Sequence, residues 1–211
     1  MSREFPANRG SLSLALVVFL LSGFSALTFE ILWVRLASHS LGVTTWAVSV
    51  VVSTFMGGLT LGGLLFGPVA DRHPRPSRLY TKLELGIGLS GLAASLLLDK
   101  IPSWGWSFGG QVAGIVLALI IPCTLMGGTL PALGRAMSGL APTRALARLY
   151  ASNTAGAVLA AFLTDWVLVP QLGVSKTLGV VVFTSFLAAG LAWMLVGSPA
   201  PESEPTKGEN W

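Results

Sequence analysis

The sequence of 211 residues is dominated by apolar side chains. Apolar residues make up 53% of the chain, charged residues only 10%, and the mean hydropathy is +0.74. These values are far from those of soluble domains and predict a protein embedded in a membrane. The net charge of +4 is not gathered into a basic segment laced with aromatic residues. We therefore expect the lipid bilayer, and not nucleic acid, as a partner.

Six apolar runs reach the roughly 20 residues that cross ~30 Å of hydrocarbon as a helix. In chain order, the predicted helices cover residues 11–37, 44–67, 78–98, 109–135, 149–168 and 175–197. Because the first run continues through Trp33, we interpret it as an uncleaved anchor and not as a secretory signal. The predicted fold class is an all-α integral membrane protein with a six-helix membrane domain over 11–197. Residues 1–10 form a cytoplasmic segment, and the polar residues 198–211 form a disordered cytoplasmic tail.

The distribution of basic residues predicts the orientation, because Lys and Arg near helix ends are retained in the cytoplasm. One side of the predicted bundle carries Arg3, Arg9, Arg72, Arg75, Arg78, Lys82, Arg135, Arg144, Arg148 and Lys207. The other side carries Arg35, Lys100 and Lys176. Both termini are therefore expected in the cytoplasm, in a bacterial-type inner membrane.

Residues that commonly carry catalysis or metals are sparse. The single Cys123 lies within the fourth run, and His39 and His73 lie in loops on opposite sides, so we predict no metal site and no cofactor. No Gly-rich phosphate loop follows a strand, and no Ser/His/Asp set lies on one side of the membrane. From the residues alone we expect no enzymatic activity in this chain.

Glycine and proline mark two features of the helices. Gly58/Gly62 and Gly63/Gly67 stand at the four-residue spacing that lets helix backbones approach closely, either within the bundle or across a homodimer. In the fourth run, "IPCTLMGGTLPAL", prolines that lack a backbone donor flank a glycine pair. The four residues are Pro122, Gly127, Gly128 and Pro131. A broken helix that lines a site is one interpretation, and a kink without a ligand is the other.

The loop "GPVADRHPRPSR" resembles the G-x-x-x-D-R-x-G-R loop of the major facilitator superfamily, which also lies between the second and third helices. The matching residues are Gly67, Asp71, Arg72 and Arg75. The sequence departs from the pattern at Pro74 and Pro76. The resemblance implies that Asp71 and Arg72 latch neighbouring helices in one conformational state. The alternative is an ordinary basic cytoplasmic loop, which leaves Asp71 unexplained.

Five further blocks extend the resemblance. In order they are "SGFSALTFEILWVRL", "GLTLGGLLFGPVADR", "LELGIGLSGL", "PCTLMGGTLPAL" and "RLYASNTAGAVLAAFLTDWVLVPQLG". Together they resemble the membrane half of fused transporter/spermidine-synthase proteins. The resemblance implies a bundle like half of a facilitator transporter, in a module that handles polyamines or related small cations. The alternative is a membrane anchor for a separate, soluble aminopropyltransferase-like subunit that itself binds no substrate.

Three acids lie within the apolar runs, where a charge costs about 2.5–3.5 kcal/mol at the bilayer centre. At ~1.5 Å per residue, Glu30 falls near the outer edge of the first run and Asp165 in the outer half of the fifth. Glu84 falls near the cytoplasmic start of the third. Glu30 and Arg35 stand about 140° apart around their helix, so they cannot serve each other.

Glu30 therefore needs a partner from elsewhere in the bundle. The open choices are structural pairing of these acids with Lys176 or with Arg35 of a neighbouring helix, the amide of Asn153, or a substrate cation. In the last case we predict a cation site at Glu30 and Asp165, with Trp33 or Trp166 as an aromatic face. Asn153 and Glu84 are further candidates for binding a substrate or an ion.

Overall fold

The computed structural model describes residues 9–42, 45–137 and 142–195, and all regular structure within these ranges is helical. The elements are α1 (Arg9–Leu41), α2 (Thr45–Arg72), α3 (Pro76–Lys100), a 3-10 turn (Ile101–Trp104), α4 (Phe108–Gly127), α5 (Thr129–Ala136), α6 (Pro142–Leu163), a π-helical segment (Thr164–Leu168) and α7 (Val169–Met194). The predicted tail over 198–211 and residues 1–8 of the predicted N-terminal segment lie outside the described residues.

Five helical runs are long and apolar enough to cross a membrane. They are Leu12–Leu41, Thr45–Arg72, Pro76–Trp104, Phe108–Ala136 and Arg144–Met194. The prediction of an all-helical protein with membrane-spanning helices is confirmed for the described chain. The predicted count of six separate runs is not reproduced, because the fifth and sixth predicted helices are joined in one run of 51 residues.

That last run changes direction. Gly173 within it has φ 77° and ψ 168°, a backbone conformation that is not helical and that glycine adopts without steric cost. The part beyond Gly173 runs antiparallel to α3. The Arg78 guanidinium lies 5.4 Å from the centroid of the Trp193 ring, and a Cβ at Gly88 would meet Phe186.

The part before Gly173 runs parallel to α1. The Ser152 hydroxyl donates to the Leu16 carbonyl at 2.7 Å, and the hydroxyls of Thr28 and Thr164 lie 3.2 Å apart. Since α1 is itself parallel to α3, as the pairing of Trp33 with Ser95 and of Ser22 with Glu84 requires, α6 and α7 point in opposite directions.

Glycines allow the closest helix crossings. A Cβ on Gly23 would overlap the Asn153 carbonyl oxygen in the crossing of α1 with α6, and one on Gly62 would overlap the Thr124 carbonyl oxygen in the crossing of α2 with α4. Around Gly63 and Gly67, in contrast, nothing lies within 4 Å. Gly62 therefore packs within the bundle, whereas Gly63 and Gly67 face outward.

The predicted helix break in the fourth run is a single residue, Gly128, between α4 and α5. Its N–H bonds to the carbonyls of Leu125 and Met126, so the backbone stays nearly helical there. Pro122 lies inside α4, and Pro131 lies inside α5. The glycine pair faces α2: a Cβ on Gly127 would overlap Leu59, and one on Gly128 would overlap Phe66.

Candidate functional site

Glu30 is a buried acidic residue of α1 that has no partner among the described side chains. Its side chain is 8% exposed, and within the described part of the chain it makes no hydrogen bond or ion pair. Lys176 is exposed at the surface and does not pair with it. Glu30 interacts electrostatically with Cys123 of α4, which in turn packs on Gly58 of α2.

The position of Glu30 along α1 is closer to the middle of the helix than the sequence indicated. Helix α1 continues to Leu41, past the predicted end at residue 37. Glu30 therefore lies about five residues, or roughly 8 Å, beyond the midpoint of the helix instead of near its outer edge. Its neighbours agree with this depth, because Gly58 and Cys123 lie near the middles of α2 and of the run Phe108–Ala136.

An unpaired carboxylate at this depth is costly. Removing a charge from water costs several kcal/mol unless a counter-charge or a proton compensates. Among the described residues, no basic side chain compensates Glu30. The surrounding level of the bundle is an apolar core that includes Phe29, Phe55 and Met126.

Asp165 does not join Glu30. The Nη2 atom of Arg35 lies 2.7 Å from Asp165 Oδ1, and its Nε donates to the same oxygen at 3.2 Å. Both side chains are 43% exposed. The proposed Glu30/Asp165 pair is therefore corrected: the π-helical segment directs Asp165 towards Arg35, and Arg35 is paired across helices instead of reaching only for headgroups.

Trp33 and Asn153 also do not form the predicted site with Glu30, and each packs against another part of the bundle. The Trp33 ring is fully buried, stacks on Phe29 with centroids 5.3 Å apart, and donates from Nε1 to Ser95 Oγ at 3.0 Å. It is thus part of the contact between α1 and α3 and presents no free aromatic face. Asn153 packs on Gly23, two helical turns from Glu30.

Glu84 belongs to a second buried polar cluster. Its side chain has no exposed surface, and Ser22 Oγ donates to Oε1 at 2.5 Å. Tyr80, one turn earlier on α3, is also fully buried and interacts electrostatically with Glu84. Its hydroxyl and Glu84 Oε2 nevertheless make no hydrogen bond of acceptable geometry within the described residues.

The loop between α2 and α3 is shorter than predicted. Because α2 continues to Arg72, Gly67 and Asp71 are helical, and Arg75 lies in the short loop, where its N–H bonds to His73 Nδ1 at 3.1 Å. The Asp71 carboxylate faces Arg135 Nε of α5 at 3.9 Å. Asp71 thus contacts a neighbouring helix in this structure, as a latch between helices requires. The conformational role of Asp71 and Arg72 stays a prediction.

Of the neighbours found here, Tyr80 could have been foreseen. Tyr80 and Glu84 are four residues apart and so share a helix face. Ser22 and Cys123 carry no such signal, because their nearness to Glu84 and Glu30 arises only from helix packing.

The Arg35–Asp165 pair predicts a small effect on stability. Because both side chains are half in solvent, we expect a coupling of at most about 1 kcal/mol, weakened further by salt. A double-mutant cycle with Arg35→Ala and Asp165→Ala, followed by thermal unfolding in detergent at two salt concentrations, measures it. A larger, salt-insensitive coupling would contradict this expectation.

Comparison with known proteins gives one relationship. The chain is distantly similar to polyamine aminopropyltransferases. Those of two strains of Mycobacterium tuberculosis and of a strain of Mycobacterium bovis are each 27% identical to it over 175 residues. The aligned part is 78% of this chain but 32% of each relative, so the chain spans about a third of their length. No family model and no solved structure matches.

This finding corrects the prediction that the chain has no enzymatic activity. That expectation came from the lack of a recognisable catalytic set within apolar helices. The proteins that align with most of the chain bear the name of an enzyme. The residue pattern of these apolar helices gave no indication of the enzyme activity for which the relatives are named.

Proposed function

We propose that this chain is the membrane-embedded part of a polyamine aminopropyltransferase-like system, and that it binds a polyamine cation at Glu30 during the passage of that cation through the membrane. The observation that carries the proposal is the buried carboxylate of Glu30, which has no partner among the described side chains and lies within the apolar run Leu12–Leu41. The distant similarity to proteins named polyamine aminopropyltransferase supports the choice of cation.

Polyamines suit such a position chemically. Each consists of ammonium groups joined by methylene chains, so one ammonium can pair with a carboxylate while the methylenes contact apolar walls. The apolar core at the level of Glu30, with Phe55 and Met126, provides walls of this kind. A polyamine would supply the positive charge that no described side chain supplies.

The packing of the helices supports a facilitator-like arrangement of six crossings. If the last run counts as two, the closest pairs are the first with the fifth (α1 with α6), the second with the fourth, and the third with the sixth (α3 with α7). If the first, second and third helices exchange numbers with the fourth, fifth and sixth, the same three pairs result. Such internal symmetry is typical of the inverted repeats within transporters of the facilitator type.

Location and partners are part of the same proposal. We place the chain in an inner membrane with both termini cytoplasmic. The basic residues at the end of α2 and at the start of α3 support this orientation. A homodimer would complete a bundle of facilitator size. A soluble transferase-like subunit or domain would act beside it on the polyamine.

Binding of labelled spermidine to the purified chain in lipid nanodiscs tests the proposal. Glu30→Gln keeps the shape of the side chain and removes its charge. Since a hydrogen bond to a charged group contributes about 1.5–3 kcal/mol, we expect spermidine affinity to fall about 10-fold to 100-fold.

Asp165→Asn is the matched control, because Asp165 already has Arg35 as its counter-charge. We expect its spermidine affinity to stay within about twofold of the unmodified chain. Equal affinities of Glu30→Gln and the unmodified chain would contradict the proposal. A folded chain that binds no spermidine would also contradict it and would favour the anchor for a transferase subunit.

A further inference from the structure

The cluster of Ser22, Tyr80 and Glu84 has a feature that Glu30 lacks: it is closed on all sides. Glu84 and Tyr80 both have 0% exposed surface. One carboxylate oxygen accepts from Ser22, while Oε2 and the Tyr80 hydroxyl make no hydrogen bond within the described residues. Leaving such groups unsatisfied in a dry interior is unfavourable.

Within the described ranges, no basic side chain compensates Glu84. On α3 itself, Lys82 is exposed on another face, and Arg78 lies on the Trp193 ring of α7. On α1, the ionisable residue in the buried part of the helix is Glu30, which lies two turns beyond Ser22 and has the same sign of charge. Helix α4 carries no charged residue at all.

The remaining elements packed against α3 add charges only at its ends. Helices α2 and α5 bring Asp71 and Arg135 to the cytoplasmic end, where they face each other. In α7, Lys176 is exposed near the opposite end. Among the described residues, no basic side chain is placed to neutralise Glu84, and a ligand that does so must fit a position without exposed surface.

We infer that the Ser22–Tyr80–Glu84 cluster is a proton-binding site, in which a proton taken from water resides on Glu84 and leaves when α1 and α3 separate. The proton neutralises the carboxylate and turns Oε2 into a donor. The Tyr80 hydroxyl, the other unsatisfied group of the cluster, supplies the matching oxygen. This inference rests on the proposed function in one respect: it makes the proton the ion coupled to polyamine passage.

The position of the cluster explains how such a proton could act on conformation. Ser22 belongs to α1, the helix that also carries Glu30, and Glu84 belongs to α3. The hydrogen bond from Ser22 to Glu84 is thus a direct polar link between the two helices. Loss of the proton would leave a charge in this contact, which favours a state in which water reaches it.

Infrared difference spectroscopy of the chain in lipid, in normal and deuterated water, tests the proton site without any polyamine. We expect a carboxylic acid C=O band that Glu84→Gln removes and that Glu30→Gln, the matched control, leaves in place. Tyr80→Phe and Ser22→Ala, which keep most of the packing, should shift this band. The shifts test the site even if Glu84→Gln does not fold. A missing band, or one unaffected by all three cluster variants, would overturn the inference.

Coupling is tested separately with spermidine uptake into proteoliposomes under a pH gradient. We expect the gradient to accelerate uptake several-fold in the unmodified chain and to have no effect in Glu84→Gln, while spermidine binding to that variant persists. Acceleration that survives in Glu84→Gln would overturn the coupling. If the band behaves as expected but no spermidine binds, the proton site stands and the proposed function fails.

Discussion

Replacing Gly62 with valine should severely destabilise the protein, whereas the same change at the adjacent Gly63 should be tolerated. A Cβ at Gly62 would overlap the Thr124 carbonyl oxygen and approach the Gly127 backbone. Backbone atoms of α4 cannot yield as the end of a flexible side chain would. Around Gly63, nothing lies within 4 Å.

The expected size follows from overpacking, which costs about 1–3 kcal/mol and more where backbone must move. For a chain of this length, the melting temperature of Gly62→Val should fall by roughly 5–10 °C. Gly63→Val should melt within about 2 °C of the unmodified chain, because valine there meets lipid and is no worse than glycine in a helix. Thermal unfolding in detergent, followed by circular dichroism, compares the two. Equal losses would mean that the Gly62 face does not pack on α4.

Truncating Trp33 to alanine is the second change for which we expect a large loss. The ring is fully buried, stacks on Phe29 and donates a hydrogen bond to Ser95. Removing it leaves a cavity between α1 and α3, and Trp→Ala changes in protein cores cost about 3–5 kcal/mol. Trp33→Phe keeps most of the volume and should cost about 1 kcal/mol for the lost N–H bond.

Trp166→Ala serves as the control, because its side chain is 78% exposed. We expect no measurable change in unfolding temperature from this variant. The variants Trp33→Ala, Trp33→Phe and Trp166→Ala also distinguish two roles for Trp33. If Trp33 were an aromatic ligand of a cation, Trp33→Phe would lower spermidine affinity with little loss of stability. The buried ring predicts a loss of stability with unchanged affinity.

In our proposals, two buried acids on different levels of the bundle have different tasks. Glu30, which is 8% exposed and lies beside α4, is proposed to bind the organic cation. Glu84 is sealed and hydrogen-bonded to Ser22, so it suits a proton. The contact of Glu30 with α4 and the contact of Ser22 with Glu84 both involve α1. This helix packs on α2, α3, α4, α6 and α7 and is thus the central helix of the bundle. A shift of α1 would affect both sites at once.

Composition and run length by themselves determined that the chain forms membrane-spanning helices, because ~20 apolar residues leave the backbone no other way to satisfy its polar groups in lipid. Helical periodicity also determined that Glu30 and Arg35 point to different faces, and it places Tyr80 beside Glu84. These relations hold within one helix and need no knowledge of its neighbours.

Tertiary structure decided which residues meet across helices. Arg35 reaches Asp165 over 130 residues, and Ser22 reaches Glu84 over 62. Packing also decided that Gly62 faces α4 while Gly63 faces outward, and it brought Glu30 close to Cys123. In a soluble helix, polar residues reveal the outer face; in lipid, the outer and inner faces are equally apolar. Only the steric fit between helices then selects the partners of the few polar groups.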